Sequence, residues 1–150
     1  MNASFALALS LAVSSQVMAQ DNSSIERIGE PMLGAQRLPF ASAVRAGETV
    51  YLSGALGITP DGKLGEGMEA QARLAMDNLG AALKLAGLGW SDVVKCTVML
   101  DNMADWPAFN QVYVTYFPDG KYPARSAFGA DGLALDALVE VECIAYAGGK

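Results

Sequence analysis

Between Leu138 and Ala147 the chain alternates, with Val139, Val141, Cys143, Ala145 and Ala147 on one side of an extended strand and Glu140, Glu142, Ile144 and Tyr146 on the other. The first side reads as core. The second mixes acids with apolar residues, which suits a sheet face meeting another subunit around polar pockets better than one facing open water. The same split recurs twice. Val50 and Leu52 oppose Thr49, Tyr51 and Ser53, and Val94, Cys96, Val98 and Leu100 oppose Val93, Lys95, Thr97 and Met99. A hairpin is expected from strands around Arg37 to Val44 and Glu48 to Gly54, with Arg45, Ala46 and Gly47 as the turn. Ile25 and Ile28 can pin a short edge strand in the polar stretch before it, and Arg125 opens a short extended segment after Pro123.

Two helices interrupt these strands. Ala72, Ala75, Met76, Leu79, Leu83 and Ala86 recur at helical spacing within Met68 to Ala86, and Gly87 supplies the stop. Asp77 and Asn78 lie mid-helix, as solvated polar residues or as a structural hydrogen bond. A second helix is expected from an Asp105 N-cap, with Pro107 just inside, to Tyr116 or Phe117. The order from Arg37 is strand, strand, helix, strand, helix, strand, strand: an α+β layout with one mixed sheet and two helices on one face. The other face would carry Tyr51, Thr97, Met99, Ile144 and Tyr146, too apolar for solvent, so oligomerisation through it is expected.

At 150 residues and 52% hydrophobic content the chain can bury the core of one domain. A net charge of −6, with no basic stripe, removes the electrostatic footprint of a nucleic-acid binder. There is no histidine, which excludes histidine-based triads and nearly all zinc sites, so no metal is expected and chemistry must rest on Arg, Glu, Asp, Ser or Tyr. Cys96 and Cys143 lack Cys-x-x-Cys spacing and read as two small buried side chains rather than a disulfide. Gly57 to Lys63 nearly spells a phosphate-binding loop, but Leu64 stands where a hydroxyl is needed; Pro-Asp-Gly-Lys there and at Pro118 to Lys121 reads as two turns. Met1 to Ala19 carries no charge, has an apolar run from Phe5 to Val13, and ends in small residues like a secretory signal, although it lacks a basic start. The expected division is a signal peptide over 1–19, an N-terminal segment over 20–36 and a folded domain over 37–150. Export to the periplasm is the expectation, with a cytoplasmic location as the alternative and no membrane association after cleavage.

Several short motifs occur together: Tyr-Leu-Ser-Gly at Tyr51 to Gly54, Gln-Ala-Arg at Gln71 to Arg73, Met-Asp-Asn-Leu at Met76 to Leu79, Asn110, Pro-Ala-Arg-Ser at Pro123 to Ser126, and the pair Glu140 and Glu142. With them, from roughly Leu38 to Ala147, the chain resembles the Rid superfamily of reactive intermediate (enamine/imine) deaminases. The resemblance implies a chorismate-mutase-like fold and a homotrimer with ligand sites between subunits. It also implies cofactor-independent hydrolysis of small 2-imino or enamino acids to 2-keto acids and ammonia, as a 2-iminobutanoate/2-iminopropanoate deaminase does. In similar deaminases the arginine of Pro-Ala-Arg-Ser grips the substrate carboxylate, here Arg125, and the first glutamate of the pair places water and moves protons, here Glu140. Phe40, Ser53, Gly54, Asn110 and Ala127 are the positions implied to surround the substrate. Phe40 stands where many relatives carry a tyrosine, and Ala127 replaces a common cysteine. Glu142, two residues from Glu140 on the same face, is expected to raise the pKa of one of the pair. The rival reading is a non-catalytic trimer of the same fold that binds small carboxylates. Ribonuclease activity, known in some relatives, is poorly served by an acidic chain without histidine.

Overall fold

The computed structural model describes residues 25–148, so the expected signal peptide lies outside the described residues. In chain order the elements are β1 (Ile25–Ile28), β2 (Met32–Leu33), β3 (Gln36–Arg37), β4 (Ala43–Ala46), β5 (Thr49–Leu52), β6 (Ala55–Leu56), α1 (Gly67–Leu85), β7 (Val93–Leu100), α2 (Trp106–Tyr113), β8 (Ala124–Gly129) and β9 (Val139–Tyr146). Short 3-10 turns precede β7, flank α2 and lie before β9. One seven-stranded sheet runs β1-β4-β5-β9-β7-β8, with β6 also paired to β9, and β2 and β3 form a small separate hairpin. Among the described strands only β7 and β8 pair in parallel, and α2 supplies the crossover that such a pair requires.

The core forms where the alternating strands meet the helices. Val139, Val141, Cys143 and Ala145 are buried with Val50, Leu52, Val98 and Leu100, beneath Met76, Leu79 and Leu83 of α1. On α2, rings spaced three or four residues apart pack in a column: Trp106 on Phe109 at 6.0 Å, Phe109 on Tyr113 at 5.7 Å, and Tyr113 on Phe117 at 5.0 Å. Gly87 closes α1 in the left-handed region, at φ 72°, as its place in the sequence requires. The Arg45 guanidinium donates to the Ala86 carbonyl at 3.0 Å, satisfying one of the acceptors left open at that helix end. Among the described residues no helix lies over the opposite sheet face, and Tyr51 and Tyr146 are half exposed there.

Four expectations need correction. Cys96 and Cys143 are directly opposite across β7 and β9 and are joined as a disulfide, because the register places their inward side chains face to face. The first hairpin strand begins at Ala43 rather than Arg37; Arg45 and Ala46 remain in the ladder, and Gly47 and Glu48 make a two-residue turn. The reason is that Gln36 and Arg37 already pair with Leu33 and Met32, and Pro39 ends that run. In β7 a register irregularity between Val93 and Lys95 turns Val93 into the core and leaves Val94 exposed, reversing the strict alternation at that end. Asp105 precedes α2 but makes no side-chain cap; the Asn102 carboxamide oxygen instead accepts from the Ala104 N–H in the preceding turn. Both Pro-Asp-Gly-Lys segments are turns, closed by Gly62 N–H to Thr59 O at 2.8 Å and Gly120 N–H to Phe117 O at 3.0 Å.

Candidate functional site

A cavity of about 540 Å³ opens between the β2–β3 hairpin, β6, α1 and the 3-10 turn before β9. Four of the seven residues singled out in the sequence line it: Phe40, Ser53, Gly54 and Glu140. The ladder explains their meeting. Strand β9 pairs with β5 as far as Tyr51 opposite Ile144, and with β6 from Ala55 opposite Val141. Ser53 and Gly54 form the break between those ladders, next to the position where β9 presents Glu140. The Ser53 hydroxyl donates to the Ala41 carbonyl at 2.7 Å and its N–H to Ser42 O at 3.1 Å, so this serine pins the loop that carries Phe40. Gly54 leaves the space that the Glu140 carboxylate occupies: a Cβ there would collide with it and displace the carboxylate from this position.

Glu140 is half-buried, and its carboxyl is held above the usual carboxylate range, first by burial and then by the charge of Glu142. The neighbouring acid therefore acts in the expected direction but is the smaller cause. Asn78, mid-helix in α1, donates through Nδ2 to the carbonyls of Leu56 and Ile58, both at 3.0 Å, and so ties β6 and the following residues to the helix. Of its two sequence readings, the structural hydrogen bond is the one observed.

The other three residues lie elsewhere. Arg125 pairs with Cys96 in β8 and shares the inward, helix-bearing face. Its guanidinium carbon sits 4.5 Å from the ring centroid of Trp106 and 4.3 Å from that of Tyr113, two cation–π contacts that fix the head group against α2. Ala127 follows on the same face, opposite Val98, and Asn110 is half-buried on α2. Glu140 pairs with Met99 on the opposite face, three residues along β7 from the level of Arg125, roughly 10 Å by strand rise alone. Within one chain, then, the arginine and the glutamate do not share a pocket. Trp106 and Tyr113 were missed in the sequence, although their seven-residue spacing on one helix face was a readable signal. The Tyr113 hydroxyl is buried with no hydrogen-bond partner among the described residues, and its pKa is raised by burial, tempered by the charge of Arg125.

Among the described residues no group of three or more His, Cys, Asp or Glu could hold a metal ion, and no helix is long and apolar enough to cross a membrane.

Comparison with known proteins bears on this arrangement. Residues 34–147 match the profile described as Endoribonuclease L-PSP. The chain belongs to that family. The chain is 42% identical over 109 residues to Reactive Intermediate Deaminase A, chloroplastic, of Arabidopsis thaliana, covering 71% of this chain and 58% of that protein. The chain thus spans less than two thirds of that plant relative. It is 41% identical over 112 residues to the 2-iminobutanoate/2-iminopropanoate deaminase of Mus musculus, covering 73% of this chain and 82% of that one. The solved structure of E. coli TdcF with bound serine superposes with a TM-score of 0.74 at 30% identity, covering 81% of this chain and 98% of that one. Solved structures of the L-PSP family carry the same mixed sheet and two helices, so the α+β, chorismate-mutase-like fold expected from the motifs is the fold observed.

Proposed function

We propose that this protein is a homotrimeric deaminase that hydrolyses small 2-imino and enamino acids to 2-keto acids and ammonia, at sites shared between neighbouring copies. The observation that carries the reading is the division of the site within one chain. Glu140 lies in the cavity with Phe40, Ser53 and Gly54, whereas Arg125 stands on the other face of the sheet, pre-oriented by Trp106 and Tyr113. A site using both groups is completed by the Arg125 of a second copy, and the exposed apolar face around Tyr51 and Tyr146 offers the surface on which copies would meet. Deaminase names among relatives about 40% identical, and serine bound in a structural relative, support a small amino-acid-like carboxylate as ligand.

The chemistry follows from the groups. The planar fork of Arg125 holds the substrate carboxylate bidentately. Protonation of an enamine at its β-carbon gives the iminium ion, which an imine reaches by taking a proton on nitrogen. Water then adds to the iminium carbon, forming the C–O bond while the C=N pair moves to nitrogen, and the Glu140 carboxylate accepts a proton from that water. Returning this proton to the amine nitrogen lets the C–N bond break as an oxygen lone pair closes the C=O bond. The hydroxyl proton passes back to the Glu140 carboxylate, so that ammonia and the keto acid leave. A carboxyl whose pKa lies above the usual range exchanges protons nearer neutrality, as such a cycle needs.

We further propose export, supported by the uncharged apolar run ahead of Ala19 and by the Cys96–Cys143 disulfide, which suits an oxidising compartment. The decisive experiment measures keto-acid release from 2-iminobutanoate and 2-iminopropanoate with the protein and its Arg125→Ala variant, alongside its mass in solution. Acceleration that disappears in the variant supports the deaminase. A folded trimer that binds 2-keto acids through Arg125 without accelerating hydrolysis would instead be the non-catalytic carboxylate binder.

A further inference from the structure

The cavity beside Glu140 is larger and more apolar than a three- or four-carbon imino acid requires. Its volume of about 540 Å³ lies within the roughly 300–1,000 Å³ of pockets that enclose whole organic ligands. Away from Glu140 the wall is built by Leu38, Phe40, Leu56, Ile58 and Leu135, and among the described residues no cationic side chain lines it. Away from Glu140 the polar side chains on the wall are Ser42, Ser53, Thr59 and Asn78, and three of them hold partners within the chain: the Ser53 hydroxyl donates to Ala41, the Thr59 hydroxyl to Asp61 at 2.6 Å, and the Asn78 Nδ2 to Leu56 and Ile58. With most of the wall apolar, that part of the cavity recognises a ligand mainly through apolar contact.

Two further features concern the rim. Phe40 and Leu135 are 48% and 51% exposed, unusual for large apolar side chains held at the mouth of a cavity. Leu135 also adopts φ 62°, ψ 20°, and Asp136 follows at φ 58°, a left-handed pair without glycine. Such conformations cost backbone energy and persist where the surroundings fix them. The strain aims an apolar side chain at the cavity mouth.

We propose that this cavity receives the side chain of the substrate, so that the preferred substrates are 2-imino acids with long or branched apolar side chains, of the kind derived from leucine, methionine or phenylalanine. This rests on the deaminase reading above and names its substrate class: Glu140 at the polar end serves the imine carbon, and the apolar wall takes the rest. Phe40, which lacks a hydroxyl, makes the entrance apolar. Each methylene buried favours the larger substrate by about fourfold.

The test compares kcat/KM for 2-imino acids generated in situ from leucine and from alanine, with calorimetric binding of 4-methyl-2-oxopentanoate and pyruvate to the same protein. The expected result is a leucine-to-alanine ratio of about tenfold or more in kcat/KM, matched in the binding of the two keto acids. In Leu135→Asn, where asparagine tolerates the left-handed backbone, the ratio should fall several-fold. Phe40→Ala should lower it independently, should the first variant not fold. Comparable kcat/KM for the two imines, or preference for the alanine-derived one, overturns the proposal and leaves the deaminase standing. Absence of hydrolysis with either imine overturns the deaminase reading instead, and the binding comparison then decides: tighter 4-methyl-2-oxopentanoate upholds the apolar side-chain pocket, and equal or weaker binding overturns it.

Discussion

The carboxamide of Gln71 joins helix α1 to the strand that carries Glu140: its Oε1 accepts from the Leu138 N–H at 2.8 Å, while its Nε2 donates to the Gly65 carbonyl at 3.1 Å. Gln71 is 4% exposed and is the buried polar side chain among the described core residues. A buried amide with both ends satisfied fixes position rather than adding much net stability, but removing it strands two backbone groups. Gln71→Leu should therefore lower stability by about 1–3 kcal/mol in urea unfolding. If Leu138 is held mainly by this bond, exchange of its amide hydrogen should also accelerate in the variant, while amides in the middle of β7 are slowed as before.

The Cys96–Cys143 disulfide closes a sequence separation of 47 residues between the adjacent interior strands β7 and β9. Such a cross-link reduces the freedom of the unfolded chain, with typical effects of about 2–4 kcal/mol. Both sulfurs lie in the core, so the bond should survive mild reductant in the native state and be lost only once the chain opens. The double variant Cys96→Ala with Cys143→Ala should fold and shift its denaturation midpoint downward by an amount corresponding to that range. An unchanged midpoint would show that the cross-link is not formed in the protein as purified.

How far these features were legible in the chain differs by kind. The alternation in β5 and β9 placed Val50, Leu52, Val139, Val141, Cys143 and Ala145 inside without error, because a two-residue period leaves no choice once one face is core. Helix α1 was equally plain from its spacing and from Gly87. The disulfide was not, since strand register is set by tertiary pairing, and nothing local to Cys96 or Cys143 says that they are opposite one another. The same applies at Val93 and Val94, where an irregularity in pairing overrides the period. For the site, motifs pointed to Arg125 and Glu140 but not to their lying on opposite sheet faces of one chain, which follows from register: Arg125 is level with the inward Cys96, and Glu140 with Met99 on the other face. Leu135 gave no signal at all: a leucine in the left-handed region follows from its surroundings, not from its own preference.

Glu140 makes stability depend on pH and, under the proposed mechanism, links it to activity. Its folded pKa is raised, by burial and then by Glu142, so the protonated form is favoured in the fold. Between the unfolded and the folded pKa the native state holds more protons than the unfolded state, and stability falls as pH rises through that window. The loss is complete above the folded value and absent below the unfolded one. Glu140→Gln, which stays neutral, should flatten this part of the stability-versus-pH curve and raise the melting temperature at neutral pH. If Glu140 transfers protons, the same variant should lose about 10²-fold or more in kcat. A variant that is stabilised yet fully active would remove Glu140 from the chemistry while leaving its burial intact.

Arg125 tests whether charge or shape matters more at the proposed carboxylate anchor. A lysine keeps the charge but lacks the planar fork, and it stacks less well between Trp106 and Tyr113, whose ring centroids lie 4.5 and 4.3 Å from the guanidinium carbon. Arg125→Lys should therefore retain the fold and bind 2-keto acids about tenfold or more weakly, as two directed hydrogen bonds become one diffuse contact. Trp106→Leu approaches the same anchor from the other side: the arginine remains, but one cation–π contact, about 0.5–2 kcal/mol, is lost and its head group gains freedom. Weaker keto-acid binding in Trp106→Leu, with kcat at saturation less affected than KM, would mark the ring as a positioning residue for Arg125. Equal loss of kcat and stability would mean that Trp106 matters only as part of the aromatic column along α2.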